Sequence, residues 1–325
     1  MSLRPALRPA ATPPASHPAA DVAPPPSIHW KGSVFMGANS SRWGPVRQLR
    51  RRGRFPFGAG CGILGRMKIL CIGDVVGEPG RRAFREVVPG IRARGEAQAV
   101  VVNAENAAGG RGITGAIAEE LFAAGADAIT LGDHTWDQKD AGAFLSRERR
   151  AVRPANYADA CPGRGWAAVA TPVGTIVVAN LLGRVFMNPV DNPFHAIDRL
   201  LAGPIPRDAP VLVDFHAEAT SEKIAMGRHL DGRVAAVWGT HTHVQTSDAK
   251  VLPKGTGYVT DVGMTGPADS VIGREVGPVL RKFLTDMPAK FDVAKGPCEL
   301  CGCLFDVDPA TRLCRSAAAV RYAVP

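Results

Sequence analysis

The sequence predicts an α/β protein. Two observations carry this expectation: from Met67 onward short β-branched runs alternate with helical stretches, and five of the runs finish in loops bearing Asp, Glu, Asn or His. Strand ends are where α/β proteins build their sites. At 325 residues and 46% hydrophobic content the chain is long enough to bury a substantial core.

Residues 1–66 read differently. They hold 10 of the 39 Lys and Arg and 1 of the 30 Asp and Glu, so the formal charge of +9 belongs to them and residues 67–325 balance to zero. A basic-domain argument for nucleic-acid binding would therefore rest on the extension alone, and no sequence-specific nucleic-acid binding is expected. Ten prolines and an Arg-rich stretch without helical or strand period predict disorder over 1–66. Translated upstream sequence fits this segment best, because Met67 opens a clean first strand; an Arg-rich transit-type segment and a twin-arginine signal at Arg51-Arg52 are the other readings. No stretch reaches the ~18 apolar residues of a membrane span, so a cytoplasmic protein without membrane partners is expected.

The first strand is Lys68–Ile72, followed by Gly73-Asp74 in a glycine-bounded loop. Pro79 sits at the first turn of a helix over Arg81–Val88. The second strand, Ala99–Val102, ends in Asn103-Ala104-Glu105-Asn106, where small neighbours leave room for an ion. Thr114 caps the next helix and Gly125 follows its last turn. The third strand, Ala128–Leu131, ends in Gly132-Asp133-His134, with Asp137 close behind. Strands follow at Thr175–Ala179 and Val211–Phe215, the latter running into His216, and Asn192-Pro193 opens a helix to Leu201 between them. A short helix begins at Thr220, and His229 is expected in a polar turn after it. The strand Val234–Trp238 ends in Gly239-Thr240-His241-Thr242-His243, and Tyr258–Thr260 and Cys303–Asp306 complete eight strands, enough for one large sheet or two stacked ones. Composition shows no break after Met67, so 67–325 reads as one domain.

Seven cysteines, an odd and scattered set, do not form a secreted disulfide framework. Cys298, Cys301, Cys303 and Cys314 could be read as a thiolate metal site. Two-residue spacing within a strand is a poor tetrahedral clamp, so Cys301 and Cys303 are expected to be small apolar residues on one strand face.

Seven oxygen and nitrogen donors at five strand ends exceed the needs of one tetrahedral ion. Mixed carboxylate and imidazole donors suit Mn²⁺, Fe or Zn²⁺. Two ions roughly 3.5–4 Å apart are the recurrent device for hydrolysing phosphate esters.

The strings CIGDVVGEPGR, VVNAENAAGGRGIT, ITLGDHTWDQ, RPANY, VDFHAEATSEK and WGTHTHVQTSD resemble, in order and spacing, the YmdB-like branch of the calcineurin-like metallophosphoesterases. The resemblance covers Met67 to the C-terminus. It implies a four-layer α/β/β/α sandwich, a dinuclear centre of Fe or Mn, with Zn or Mg as alternatives, and phosphodiesterase activity on 2',3'-cyclic nucleotides. By position, Asp74, Glu105, Asn106 and His243 resemble the ligands of one ion. Asp133, His216 and His241 resemble those of the other, with Glu105 bridging, and His134 resembles the proton donor to the leaving ribose oxygen. The family often has Asn where Asp133 stands, which implies tighter metal binding and weaker Lewis acidity here. Arg111, Lys223 and Thr265 are candidate phosphate or nucleotide contacts by residue type and loop position. The partner implied is a small cyclic nucleotide or another phosphodiester, and a homo-oligomer is compatible with the sequence. Two other functions use the same ligands: a nucleotide-binding regulator with negligible turnover, and a phosphomonoesterase.

Overall fold

A computed structural model describes residues 66–325; the extension expected to be disordered lies outside the described residues, apart from Arg66, whose guanidinium pairs with Asp306. The chain opens with β1 (Met67–Ile72), β2 (Asp74–Val75), α1 (Gly77–Ala93), β3 (Ala99–Asn103), α2 (Gly115–Ala123) and β4 (Ala128–Thr130). There follow α3 (Ala141–Arg147), β5 (Ala151–Val152), β6 (Trp166–Thr171), β7 (Gly174–Leu182), α4 (Pro193–Ala202), β8 (Val211–His216) and α5 (Thr220–Leu230). The last third holds β9 (Ala236–Thr240), β10 (Lys250–Val251), β11 (Gly257–Val259), β12 (Met264–Pro267), α6 (Val276–Thr285), β13 (Cys298–Val307) and β14 (Cys314–Val324).

The strands form two sheets. One has the order β2-β12-β13-β1-β3-β4-β5, with β14 also paired to β13, and the other the order β10-β11-β9-β8-β7-β6. In the first, β1, β3, β4 and β5 run parallel. In the second, β7, β8, β9 and β11 do.

Alternation explains why these strands read as continuous apolar runs rather than as every-other patterns. Successive side chains point to opposite faces, and both faces are covered. In β1, Ile69 and Cys71 enter the core between the sheets, whereas Leu70 and Ile72 pack outward under α1, α2 and α3. In β7, Ile176 and Val178 face the inter-sheet core, whereas Val177, Ala179 and Leu181 pack under α4 and α5. The result is the expected α/β/β/α order of layers. Trp238 and Phe305 meet across the central layer with ring centroids 6.4 Å apart, and burying side chains of this size contributes ~1.5–3 kcal/mol each.

The caps follow the sequence: Thr114 Oγ1 accepts from the Ile117 amide, and Asn192 Oδ1 from the Phe194 amide with Pro193 in the first turn. Three expectations change. Helix α1 does not stop at Val88 but runs through Pro89 to Ala93, its buried stripe of Phe84, Val88 and Ile91 outweighing the lost hydrogen bond. His229 lies inside α5 and pairs with Asp198, not in a polar turn. Six strands unforeseen in the sequence are present, among them the two-residue β2 and β5 and the solvent-facing β14.

Candidate metal centre

Parallel strands of both sheets deliver their C-terminal ends to one place. From the first sheet come Asp74 on β2, Glu105 and Asn106 beyond β3, and Asp133 and His134 beyond β4. From the second come His216, the last residue of β8, and His241 and His243 beyond β9. Acids and amide belong to one sheet, and the three converging imidazoles to the other.

Glu105, Asp133, His216 and His241 form one group whose potential ligand atoms all lie within 4.8 Å of one another. His216 Nε2 is 3.0 Å from Asp133 Oδ1, 3.1 Å from Glu105 Oε1 and 3.0 Å from His241 Nδ1. His241 Nδ1 is 3.4 Å from Asp133 Oδ1. Bonds of about 2.1 Å at octahedral or tetrahedral angles place ligand atoms ~3.0–3.4 Å apart, so this group fits a divalent ion. Asp74, Asn106 and His243 lie alongside: His243 Nε2 is 3.8 Å from Asp74 Oδ1 and 3.3 Å from the Asn106 amide nitrogen. Rotating that amide by half a turn would present its oxygen instead. Asp74 Oδ1 is buried with no hydrogen-bond partner, an arrangement that a cation would satisfy.

Each converging imidazole has its second nitrogen tied outward. His216 Nδ1 donates to Thr240 Oγ1 at 2.9 Å, and Thr240 in turn donates to buried Asp214. His241 Nε2 meets Glu218 at 3.2 Å, and His243 Nδ1 donates to the Ile272 carbonyl at 3.0 Å. Such outer partners fix the tautomer that leaves the inner nitrogen free for a metal. His241 and His243 both adopt positive φ, 96° and 64°, so the turn is strained to aim both rings inward.

The electrostatics agree. Burial alone would raise Asp133 and Glu105, but the adjacent histidines outweigh it and hold both carboxyls below their ordinary values. Burial lowers His216, yet Glu105 and Asp133 overcome this and raise it well above the usual imidazole value. Burial likewise pushes Asp214 up to about 6, against the hydrogen bonds it accepts. Three carboxylates converge here beside imidazoles, a set that divalent charge neutralises.

The family called YmdB-like protein matches residues 70–320. The chain belongs to the YmdB-like family. A Bacillus subtilis relative named 2',3'-cyclic-nucleotide 2'-phosphodiesterase is 47% identical over 246 residues, covering 76% of this chain and 93% of the relative. Two solved structures share the fold. A hypothetical protein of Thermus thermophilus has 43% identity and TM-score 0.75 over 80% of this chain and 100% of its own. A phosphatase of Mycoplasma pneumoniae has 35% identity and TM-score 0.75 over 81% and 95%.

In this YmdB-like chain His134 lines the same cleft, of roughly 290 Å³, as Glu105, Asn106, His241 and His243. Its Nδ1 is 3.1 Å from Asp137 Oδ2, and its backbone amide donates to Glu105 Oε2. The three candidate substrate contacts are not brought there. Lys223 is 1% exposed and its Nζ lies 2.6 Å from Asp261, because α5 packs that face against β9. Thr265 is buried in β12, paired to Val75 and Leu300. Arg111 is exposed, and its carbonyl accepts from Gln138 outside the cleft lining.

The RPANY motif proves architectural: Asn156 bonds Leu182 and Asp191, and the Tyr157 hydroxyl donates to the Gly132 carbonyl just before Asp133. Cys301 and Cys303 lie buried in β13 as expected, with burial pushing their thiols up to about 11 and about 12, which disfavours thiolates. Among the described residues no cysteine joins a metal-binding group. Sequence reasoning missed Arg274, which lines the cleft, and the Asp214–Thr240 pair behind His216. For Asp214 the signal was available: an acid in the middle of an apolar strand.

Proposed function

We propose that this chain is a metal-dependent phosphodiesterase that hydrolyses 2',3'-cyclic nucleotides to 3'-nucleotides through a dinuclear centre, with residues 67–325 as the catalytic domain. The observation that carries this reading is the convergence of Glu105, Asp133, His216 and His241, each imidazole braced from behind. Kinship to the Bacillus phosphodiesterase supports the reaction class, a phosphoric diester hydrolysis.

Glu105 is suited to bridge, since its Oε1 lies 3.1 Å from His216 Nε2 of one ligand set and 3.1 Å from the Asn106 amide nitrogen of the other. Asp133, His216 and His241 would hold one ion, and Asp74, Asn106 and His243 the other. Mixed carboxylate and imidazole donors suit Fe, Mn or Zn, and Mg, which prefers oxygen shells, least; among the first three the family resemblance favours Fe or Mn. When bound, the ions supply Lewis acidity toward the phosphate and a nucleophile drawn from water at neutral pH. The protein's own part is proton delivery. Asp137 holds the His134 Nδ1 proton, which leaves Nε2 to carry the proton given to the departing 2'-oxygen.

Six cysteines of the described residues are unpaired, which supports a reducing, cytoplasmic compartment. Among the described residues no helix is long and apolar enough to cross a membrane. Self-association into a homo-oligomer is supported by α6, whose Val276, Leu280, Phe283 and Leu284 share one exposed stripe. Glu275 at its start and Arg281 and Lys282 near its end give two antiparallel copies complementary charge.

Metal analysis of protein beginning at Met67, followed by turnover of cyclic nucleotides, linear diesters and monoesters after loading with Mn²⁺ or Fe²⁺, tests the reading. Two ions per chain and preference for the cyclic diester are expected. Faster monoester hydrolysis, or nucleotide binding without turnover, would overturn it.

A further inference from the structure

Resting on the phosphodiesterase reading, one side chain of the cleft has no role in the site as described. Arg274 is the only Lys or Arg lining the cleft among the described residues. Its position is built rather than incidental. Nη2 donates to the Gly110 carbonyl at 2.6 Å and Nη1 to the Phe291 carbonyl at 3.3 Å. Both hydrogen-bond acceptors are neutral; the charged groups within electrostatic reach are Asp292 and Arg111, which oppose each other, and Glu218 and Glu105 line the same cleft. A guanidinium has five N–H groups, and these two bonds leave three for a ligand.

Two features of the chain exist in relation to this group. Gly110, at φ 92°, follows the Glu105-Asn106 pair, and a Cβ there would lie 2.3 Å from Arg274 Nη1 and 2.7 Å from Cζ. Only glycine lets the guanidinium lie against that backbone. Arg274 itself closes a tight turn in which the Val271 and Arg274 backbones exchange both hydrogen bonds at 2.9 and 3.0 Å. Its central residues Ile272 and Gly273 have φ of 46° and 92°, the pattern of a type I' turn. A β-branched residue at positive φ is an outlier, and Ile272 is the residue whose carbonyl receives His243 Nδ1. One strained turn thus carries both the brace of a metal-facing histidine and the one fixed cation of the cleft.

We propose that Arg274 is the phosphate-binding residue of this site, donating to a non-bridging oxygen of the substrate phosphate. Guanidinium forks match phosphate oxygens in geometry, and a half-buried one whose hydrogen bonds go only to neutral carbonyls is suited to an anion. The 271–274 turn then sets substrate position and His243 orientation together.

The test uses Mn²⁺-loaded protein: the parent, Arg274→Ala, Arg274→Lys and Gly110→Ala, the last displacing the guanidinium with Arg274 intact. Expected is a fall of about 100-fold in kcat/KM on a 2',3'-cyclic nucleotide for Arg274→Ala, with metal content unchanged and partial rescue by added guanidinium ion. The lysine variant should fall in between, and Gly110→Ala should resemble Arg274→Ala. Inorganic phosphate, titrated calorimetrically into the same proteins, should bind about tenfold more weakly to both Ala variants. Phosphate affinity and kcat/KM within about threefold of the parent would overturn the proposal, as would metal loss in step with activity. Should the parent turn over no diester, the phosphodiesterase reading fails by itself, and the phosphate titration still decides Arg274.

Discussion

His134 and Asp133 are neighbours with separable duties, and substitution distinguishes them. The His134 backbone amide, not its ring, bonds Glu105. His134→Ala is therefore expected to lower kcat by about 10²–10⁴-fold while metal content stays at the parent level, measured by turnover and elemental analysis on the same samples. Normal turnover of 2',3'-cyclic AMP by that variant would remove His134 from the mechanism. Asp133 Oδ1 instead faces both His216 and His241. Asp133→Asn removes one negative charge from the shell, so metal should bind more weakly in titrations while turnover at saturating metal holds or rises. A fall in saturated turnover would show that the carboxylate's charge does more than hold the ion. The residues involved were legible in the sequence because acids and imidazoles at strand ends have few structural uses. Arg274 was not, since arginine in a loop is ordinary until Gly110 and Phe291 are seen to hold it.

At the scale of elements, the segment 239–243 depends on its neighbours. Lys223 of α5 pairs with Asp261, and Asp261 also accepts from the backbone and hydroxyl of Thr242, between the two histidines. Lys223→Met leaves a buried carboxylate without its cation and should cost about 3–5 kcal/mol, read from denaturant unfolding of the metal-free protein. A loss under about 1 kcal/mol would mean that the Thr242 and Gly263 donors suffice. This pairing shows where sequence reading stops. A lysine early in a helix after a functional loop looks like a phosphate contact, and only the packing of α5 on β9 turns it inward. The doubly buried strands β1, β3, β7, β8 and β9 were readable from their apolar runs, whereas β2, β5 and β10 are two-residue strands with no period to detect. Pro89 marked an end for α1 that burial of its apolar stripe overrode.

The molecule as a whole exposes more apolar surface on α6 than its fold requires. Phe283 and Leu284 are 78% and 82% exposed. Sedimentation of the 67–325 chain should reveal a concentration-dependent dimer that Phe283→Asp abolishes without changing activity per chain; a monomer at all concentrations would dismiss that role for the helix. The α/β class was legible from the alternation of strands and helices, but the order of the layers came from the family resemblance, since eight apolar runs read alike for one large sheet or two stacked ones. The relation between the sheets was not legible, because no local pattern says which strand ends will face each other. Oxygen donors stand on one sheet and imidazoles on the other, so neither sheet alone holds a complete coordination shell. A bound ion is therefore a latch across the seam of the sandwich as well as a reagent. Chelation is expected to quicken amide exchange at the latch end of β3, β4, β8 and β9 and to leave their opposite ends unchanged. Uniform exchange would mean that Trp238, Phe305 and their neighbours close the seam unaided. With a latch, warming should open the seam and release the ion while the helices and sheets are still intact, so that activity disappears at a lower temperature than the fold.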